Sequence, residues 1–141
     1  MYKKVIKYTD YNGVEREEPF YFNLTKAELI KWEGSTVGGM RAMYDKIIQT
    51  QDQEALIALF ETIIQRSYGE KSADGKRFMK SPEILANFTS TEAYSELFME
   101  LASNDVSAAE FMNGIMPADL LKAARDEQEK EGLHVVDSAR Q

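Results

Sequence analysis

Apolar and polar positions divide the chain into a short extended part and a longer helical part. Val5, Ile6 and Tyr8 lie on one arm over residues 3–9, and Phe20, Tyr21 and Phe22 on another over 18–24, all good strand formers. Between the arms, Asp10-Tyr11-Asn12-Gly13 is a turn signal, because Asn-Gly tolerates positive φ. The pattern predicts a β-hairpin over residues 3–24. An isolated hairpin is marginal in water, so this one is expected to pack on the helices that follow.

From Thr25 onward the apolar period becomes three and four. Thr25-Lys26-Ala27-Glu28 fits a capping box and opens a short helix with Leu29, Ile30 and Trp32, broken by Gly34, Gly38 and Gly39. Met40, Met43, Tyr44, Ile47 and Ile48 predict a second helix to about Thr50. Leu56, Leu59, Phe60, Ile63 and Ile64 form the clearest stripe, widened by Ala55 and Ile57, with Glu54 in the first turn and Gly69 as the stop. Burial of each of those stripe residues contributes roughly 1.5–3 kcal/mol before the entropy of ordering is subtracted, which makes this the expected central core element.

The stretch from Tyr68 to Pro117 has the sharpest start and stop signals. It begins with a Gly-rich turn, Ser72-Ala73-Asp74-Gly75, and a basic segment from Lys76 to Lys80, read as a solvated loop anchored by Phe78. Ser81-Pro82-Glu83 then starts a helix with Ile84, Leu85 and Phe88 facing inward. Thr89-Ser90-Thr91-Glu92 and Ser107-Ala108-Ala109-Glu110 read as two further capping boxes. The first opens a helix with Tyr94, Leu97, Phe98 and Leu101 on one face, closed by Ser103-Asn104-Asp105; the second opens one that stops at Asn113-Gly114. After Pro117 another helix is predicted from Leu120, Leu121 and Ala124, with a charged run to Glu131. The expected architecture is therefore α+β, mostly α, with an N-terminal β-hairpin packed on a bundle of about six helices. Residues 1–131 form a single domain (β-hairpin 3–24, helical part 25–131), and 132–141 a flexible C-terminal tail.

Charge and chemistry narrow the function by exclusion. A net charge of −7 opposes general binding to nucleic acid, and no stretch approaches the ~20 apolar residues that span a bilayer. The expectation is a soluble, intracellular chain with no nucleic-acid or membrane partner. Cysteine is absent, which removes disulfides and thiolate chemistry, and the single histidine, His134, sits in the predicted tail without metal-ligand spacing. Gly34 to Gly39 lacks the lysine and the spacing of a phosphate-binding loop. Glu92, Glu96 and Glu100 fall on one helix face and read as a solvated face rather than a cation site. Lys71, Lys76, Arg77 and Lys80, interleaved with Phe78 and Met79, could track single-stranded nucleic acid, but neighbouring Glu70 and Asp74 favour the solvated loop. No catalytic, cofactor or metal residue emerges, and the chain is expected not to be an enzyme. The methionines are numerous, and flexible thioethers suit variable binding surfaces. Met112, Ile115, Met116, Leu120 and Leu121, around the break at Pro117, are the candidate partner-binding residues.

Tyr68-Gly69-Glu70-Lys71-Ser72-Ala73-Asp74-Gly75-Lys76-Arg77-Phe78, followed by Lys80-Ser81-Pro82-Glu83, Phe88, Thr91, Ala93-Tyr94, Leu97, Leu101, Ala109, Phe111 and Gly114-Ile115-Met116-Pro117, resembles a pattern of tail assembly chaperones. These come from long-tailed, siphovirus-type bacteriophages and prophages of Gram-positive hosts. The similarity covers residues 68–117 well and the preceding elements loosely. It implies a non-enzymatic helper in the bacterial host cytoplasm, without cofactor, that binds and solubilises the tape measure protein and helps recruit subunits of the major tail tube protein. It also implies a longer form in many relatives by ribosomal frameshifting, and it transfers no catalytic residue. Self-association is a further candidate interaction. Two rival expectations remain: a structural tail adaptor or completion protein of the virion, and a small helical protein-interaction module.

Overall fold

The computed structural model describes residues 1–35, 45 and 49–117. Most of the second predicted helix, the helix after Pro117, His134 and the tail 132–141 lie outside the described residues.

Asp10 builds the first turn. Its carboxylate accepts the N–H groups of Asn12 and Val14, both at 2.9 Å, while its own N–H donates to the Val14 carbonyl at 2.9 Å. Gly13 supplies the positive φ, +78°, that the chain needs to reverse. The Arg16 guanidinium closes on Asp10 at 2.6 Å and holds its carboxyl below the ordinary range. Strands β1 (Tyr2–Thr9) and β2 (Glu15–Phe22) leave this turn in unbroken antiparallel register, from Thr9 opposite Glu15 to Tyr2 opposite Phe22. The expected hairpin is present.

Two further strands extend it, where the sequence suggested a helix stop and a solvated loop. Strand β3 (Tyr68–Lys71) pairs with β2, and β4 (Phe78–Met79) pairs with β3, giving one antiparallel sheet of order β1-β2-β3-β4. The physical reason is non-local. Strand β3 is too short to carry a period of two, and its extended state comes from pairing Tyr68 with Phe22 and Gly69 with Tyr21. Gly69 is thus a strand residue rather than a helix stop. A Cβ there would lie 2.7 Å from the Phe78 ring and 2.8 Å from the Met79 carbonyl oxygen. The Gly-rich turn does form. Ser72 Oγ donates to Asp74 at 2.6 Å and accepts the Arg77 N–H at 3.0 Å, while Gly75 takes a φ of +73°.

Among the described residues there are five helices rather than about six: α1 (Lys26–Ser35), α2 (Gln53–Ser67), α3 (Pro82–Thr89), α4 (Glu92–Ser103) and α5 (Asp105–Ile115). The Thr25–Glu28 capping box closes as expected, with the Thr25 N–H donating to Glu28 at 3.0 Å and the Glu28 N–H to Thr25 Oγ1 at 3.2 Å. Helix α1 nonetheless includes Gly34. Asp52 caps α2 by accepting the Ala55 N–H at 3.1 Å, and Ser81 caps α3 by accepting the Ile84 N–H at 3.1 Å.

The other two predicted boxes do not act as caps. Thr89 ends α3, and α4 starts after Thr91, whose hydroxyl donates backward to the Phe88 carbonyl at 2.7 Å. Helix α5 starts earlier than its predicted box because Asn104 accepts both the Val106 and Ser107 N–H groups, at 3.0 and 3.1 Å. It also runs through Asn113-Gly114 to Ile115. At α5 a nearer polar side chain, Asn104, reached the free N–H groups first, which local spacing cannot rank, whereas Thr91 makes no side-chain cap bond at the start of α4.

Between sheet and helices lies an aromatic core. Phe22, Phe88 and Phe111 have essentially no exposed surface. The Tyr68 and Phe88 rings stack at 4.3 Å, and Phe22 meets Phe111 edge-on at 5.1 Å. Leu59, Phe60, Ile63 and Ile64 of α2 are buried as predicted; Leu56 is half-buried, and Ile57 points to solvent instead of widening the stripe. The Leu24 N–H donates to the Ile115 carbonyl at 2.9 Å, tying the end of the hairpin to the last turn of α5.

Lys80 is not a solvated loop residue. Its ammonium donates to the carbonyls of Asn23 and Arg66, at 2.7 and 2.8 Å, and to the Glu28 carboxylate at 2.7 Å. One side chain therefore joins the end of β2, the first turn of α1 and the last turn of α2. Burial alone would raise the Glu28 carboxyl, but the bonds from Lys80 and the Thr25 N–H outweigh it and hold it below the ordinary value. A carboxyl lowered on folding stabilises the fold above its unfolded pKa, and that contribution is lost as pH falls through the folded value. Lys80→Met is expected to destabilise the fold by about 1.5–3 kcal/mol at neutral pH. It should also flatten the acid-side decline. Urea titrations at neutral and acid pH, for both proteins, check this; an equal acid loss in each would sink it.

Candidate interaction surface

A cleft of about 760 Å³ opens between Pro19 and Phe20 of β2, Gly69 of β3 and the Ser72–Gly75 turn. Three of its ionisable groups have structural partners. Asp74 is held in the turn by Ser72 and the Lys76 N–H, which lower its carboxyl, and Glu18 accepts the Tyr8 hydroxyl. Lys71 lies over the Tyr21 ring at 4.4 Å. The Ser72 hydroxyl stands beside the Asp74 carboxylate, but the pair is built into the turn, with Ser72 Oγ also accepting the Arg77 N–H. Among the described residues no group of three or more His, Cys, Asp or Glu could hold a metal ion. No helix among them is long and apolar enough to cross a membrane.

The predicted partner-binding residues fall into three situations. Ile115 has no exposed surface; it is a core residue, against the expectation of partial exposure. Met112 and Met116 are half-buried and pack against the core from the last turns of α5. Leu120 and Leu121 lie outside the described residues. Several apolar side chains do face solvent, Val5, Val14, Ile30 and Ile57 among them, and two others stand on the preceding corner, on the helices just before these residues. Met99 of α4 is 59% exposed and Val106 of α5 is 68% exposed, and Ala102 and Ala109 beside them are also exposed. Met99 is legible in the sequence as a residue at the edge of its helix's apolar face, expected to be partly exposed, whereas the exposure of Val106 is not. It was masked because the same helices carry a second, buried apolar face of Leu97, Leu101, Ala108 and Phe111.

The corner has a one-sided electrostatic setting. From Ser81 to Pro117 the chain contains Glu83, Glu92, Glu96, Glu100, Asp105 and Glu110 but no Lys or Arg. The glutamate ladder of α4 is not simply a solvated face, because α4 packs beside β1. Glu100 pairs with Lys4 at 2.8 Å, and the Glu92 carboxylate faces the Tyr11 hydroxyl and raises that phenol. Glu96 stays exposed between them.

These features describe a small α+β protein that carries, among the described residues, exposed Met99 and Val106, an acidic helical side and a terminal sheet strand in β1. The chain belongs to the phage tail assembly chaperone family, whose sequence profile matches residues 1–141. The match extends the resemblance of residues 68–117 to the hairpin and the C-terminal region. Neither the curated proteins nor the solved structures compared with it match the chain.

Proposed function

We propose that this tail assembly chaperone binds the tape measure protein in the host cytoplasm, keeps it soluble and helps bring tail tube subunits to it. The observation that carries the reading is the exposed Met99–Val106 corner on an otherwise acidic helical side. An amphipathic helix offers an apolar stripe to such a surface, and a methionine adapts to successive stripes of different shape. Many weak contacts along one long partner then add by avidity, while net negative charge keeps the complex dispersed. Met112 and Met116, with Leu120 and Leu121 beyond them, form the second part of the proposed contact.

Co-expression with the tape measure protein tests this. The wild-type chain is expected to raise the soluble fraction of that protein several-fold, and Met99→Glu with Val106→Glu to abolish the gain without changing the fold, since both side chains face water. Equal solubility with and without the chain would end the proposal. Mass spectrometry of purified particles separates it from the rival reading of a tail adaptor, because a chaperone should be missing from finished virions.

A further inference from the structure

Among the described residues, the outer edge of β1 presents an unpaired ladder. The Asp10 N–H bonds to the Val14 carbonyl, so the pairs of β1 and β2 that exchange hydrogen bonds are every second one from there: Tyr8–Arg16, Ile6–Glu18, Lys4–Phe20 and Tyr2–Phe22. Lys3, Val5, Lys7 and Thr9 therefore turn their N–H and C=O groups away from β2. Strand β1 is terminal in the sheet, so among the described residues no strand meets them. Pro19, opposite Val5, agrees with this phase, since its missing N–H falls on the side facing away from β1. The edge borders a groove of about 350 Å³ whose floor is Ile6 and Leu97 and whose far wall is Glu96 and Glu100 of α4.

We propose that this edge accepts an extended segment of another polypeptide as an added strand, acidic and apolar in alternation. An extended backbone is what satisfies a row of free donors and acceptors at a sheet edge. The side chains on the sheet face away from the helices choose its charge. Lys3, Val5 and Lys7 are all exposed there, and β2 already shows the matching pattern, with Glu17 opposite Lys7 and Glu15 opposite Thr9. Acidic residues on that face of the added strand meet Lys3 and Lys7 as cross-strand pairs. The alternate residues face Ile6, Leu97 and the Glu96 and Glu100 carboxylates, which exclude acids and favour apolar side chains. Lys4 is already taken by Glu100 and Tyr8 by Glu18. A second copy fits poorly, because two-fold antiparallel pairing of β1 about Val5 sets Lys3 of each chain opposite Lys7 of the other, a device that guards sheet edges from self-pairing. The inference is separate from the Met99–Val106 reading: the surface is different and the partner is a strand, not a helix.

The probe is a fluorescent eight-residue peptide alternating glutamate with valine or isoleucine, beside the same peptide with lysine for glutamate, read by anisotropy. The acidic peptide is expected to bind the full chain, more weakly as salt rises, and the basic one to bind roughly tenfold less well or not at all. Val5→Pro removes one outward N–H without touching a bond to β2, so it should abolish binding while the far-UV spectrum is kept. Lys3→Glu with Lys7→Glu should reverse the peptide preference, and it carries the test if the proline variant does not fold. Met99→Glu with Val106→Glu should leave peptide binding unchanged. Binding of neither peptide by the wild-type chain, undiminished binding by folded Val5→Pro, or self-association that Val5→Pro abolishes would each overturn the proposal.

Discussion

Replacing Phe22 with alanine is expected to destabilise the fold by about 3–5 kcal/mol, the usual cost of deleting a fully buried aromatic ring. Phe22 sits where the sheet meets every layer beneath it. Its ring centroid lies 5.1 Å from Phe111 of α5, 5.7 Å from Tyr68 of β3 and 5.8 Å from Phe88 of α3. Its backbone also occupies the last paired position of both the β1–β2 and the β2–β3 ladders. Helices on one side and strands on the other close in around any cavity, so it cannot collapse cheaply. Domains of this kind are stable by only about 5–15 kcal/mol, so the loss removes a large part of the whole. Urea unfolding followed by far-UV circular dichroism measures it, with the fluorescence of Trp32 as a second probe. Ile30→Ala serves as the control, since Ile30 is exposed and its change should stay within about 0.5 kcal/mol. A cost for Phe22→Ala no larger than that control would refute the packing argument.

The second large effect reverses an ordinary rule. Glycine to alanine inside a helix usually stabilises by up to about 1 kcal/mol. In α5, however, a Cβ on Gly114 would lie 2.4 Å from Tyr2 Cδ2, 2.8 Å from its Cγ and 3.0 Å from its Cβ. The clash reaches the root of the tyrosine side chain, so a rotamer change at its tip does not relieve it. Tyr2 is also held edge-on against Phe111, with centroids 5.5 Å apart. Gly114→Ala is therefore expected to destabilise by about 1–3 kcal/mol through overpacking. In a Tyr2→Ala background the same change should cost much less, because the ring carbons are gone and only the Cβ contact at 3.0 Å is left. The four proteins form a double-mutant cycle, and additive effects would show that Tyr2 and Gly114 are not coupled. The contact also explains how the first strand and the last described helix, far apart in sequence, come to share one core.

Legibility in the sequence followed the range of the forces. The first turn was readable because Asp10, Asn12 and Gly13 make it almost alone. The Thr25 and Ser81 starts were readable for the same reason, as was the buried stripe of α2. Both capping boxes proposed after residue 88 were displaced. The sequence offered several Ser, Thr, Asn and Asp within a few residues, and only the packing of α3, α4 and α5 decided which of them faced the free N–H groups. Among the candidate contact residues, Ile115 and Met112 looked alike by composition. The Leu24–Ile115 backbone bond and the core around Phe111 put one inside and left the other half-covered. The family signature survived these errors because it rests on an ordered set of residues, not on where each helix begins.

By itself the sequence determined an α+β chain with an N-terminal hairpin, a strongly apolar central helix, no cysteine chemistry and an acidic surface, since each follows from composition or from contacts within a few residues. Only the tertiary structure decided that Tyr68–Lys71 and Phe78–Met79 are strands, that Lys80 is a three-way tie, and that the exposed apolar corner lies at Met99 and Val106 rather than at Ile115. Each of these depends on a partner distant in the chain, and the free energy of such a pairing is not written in the local pattern of either segment.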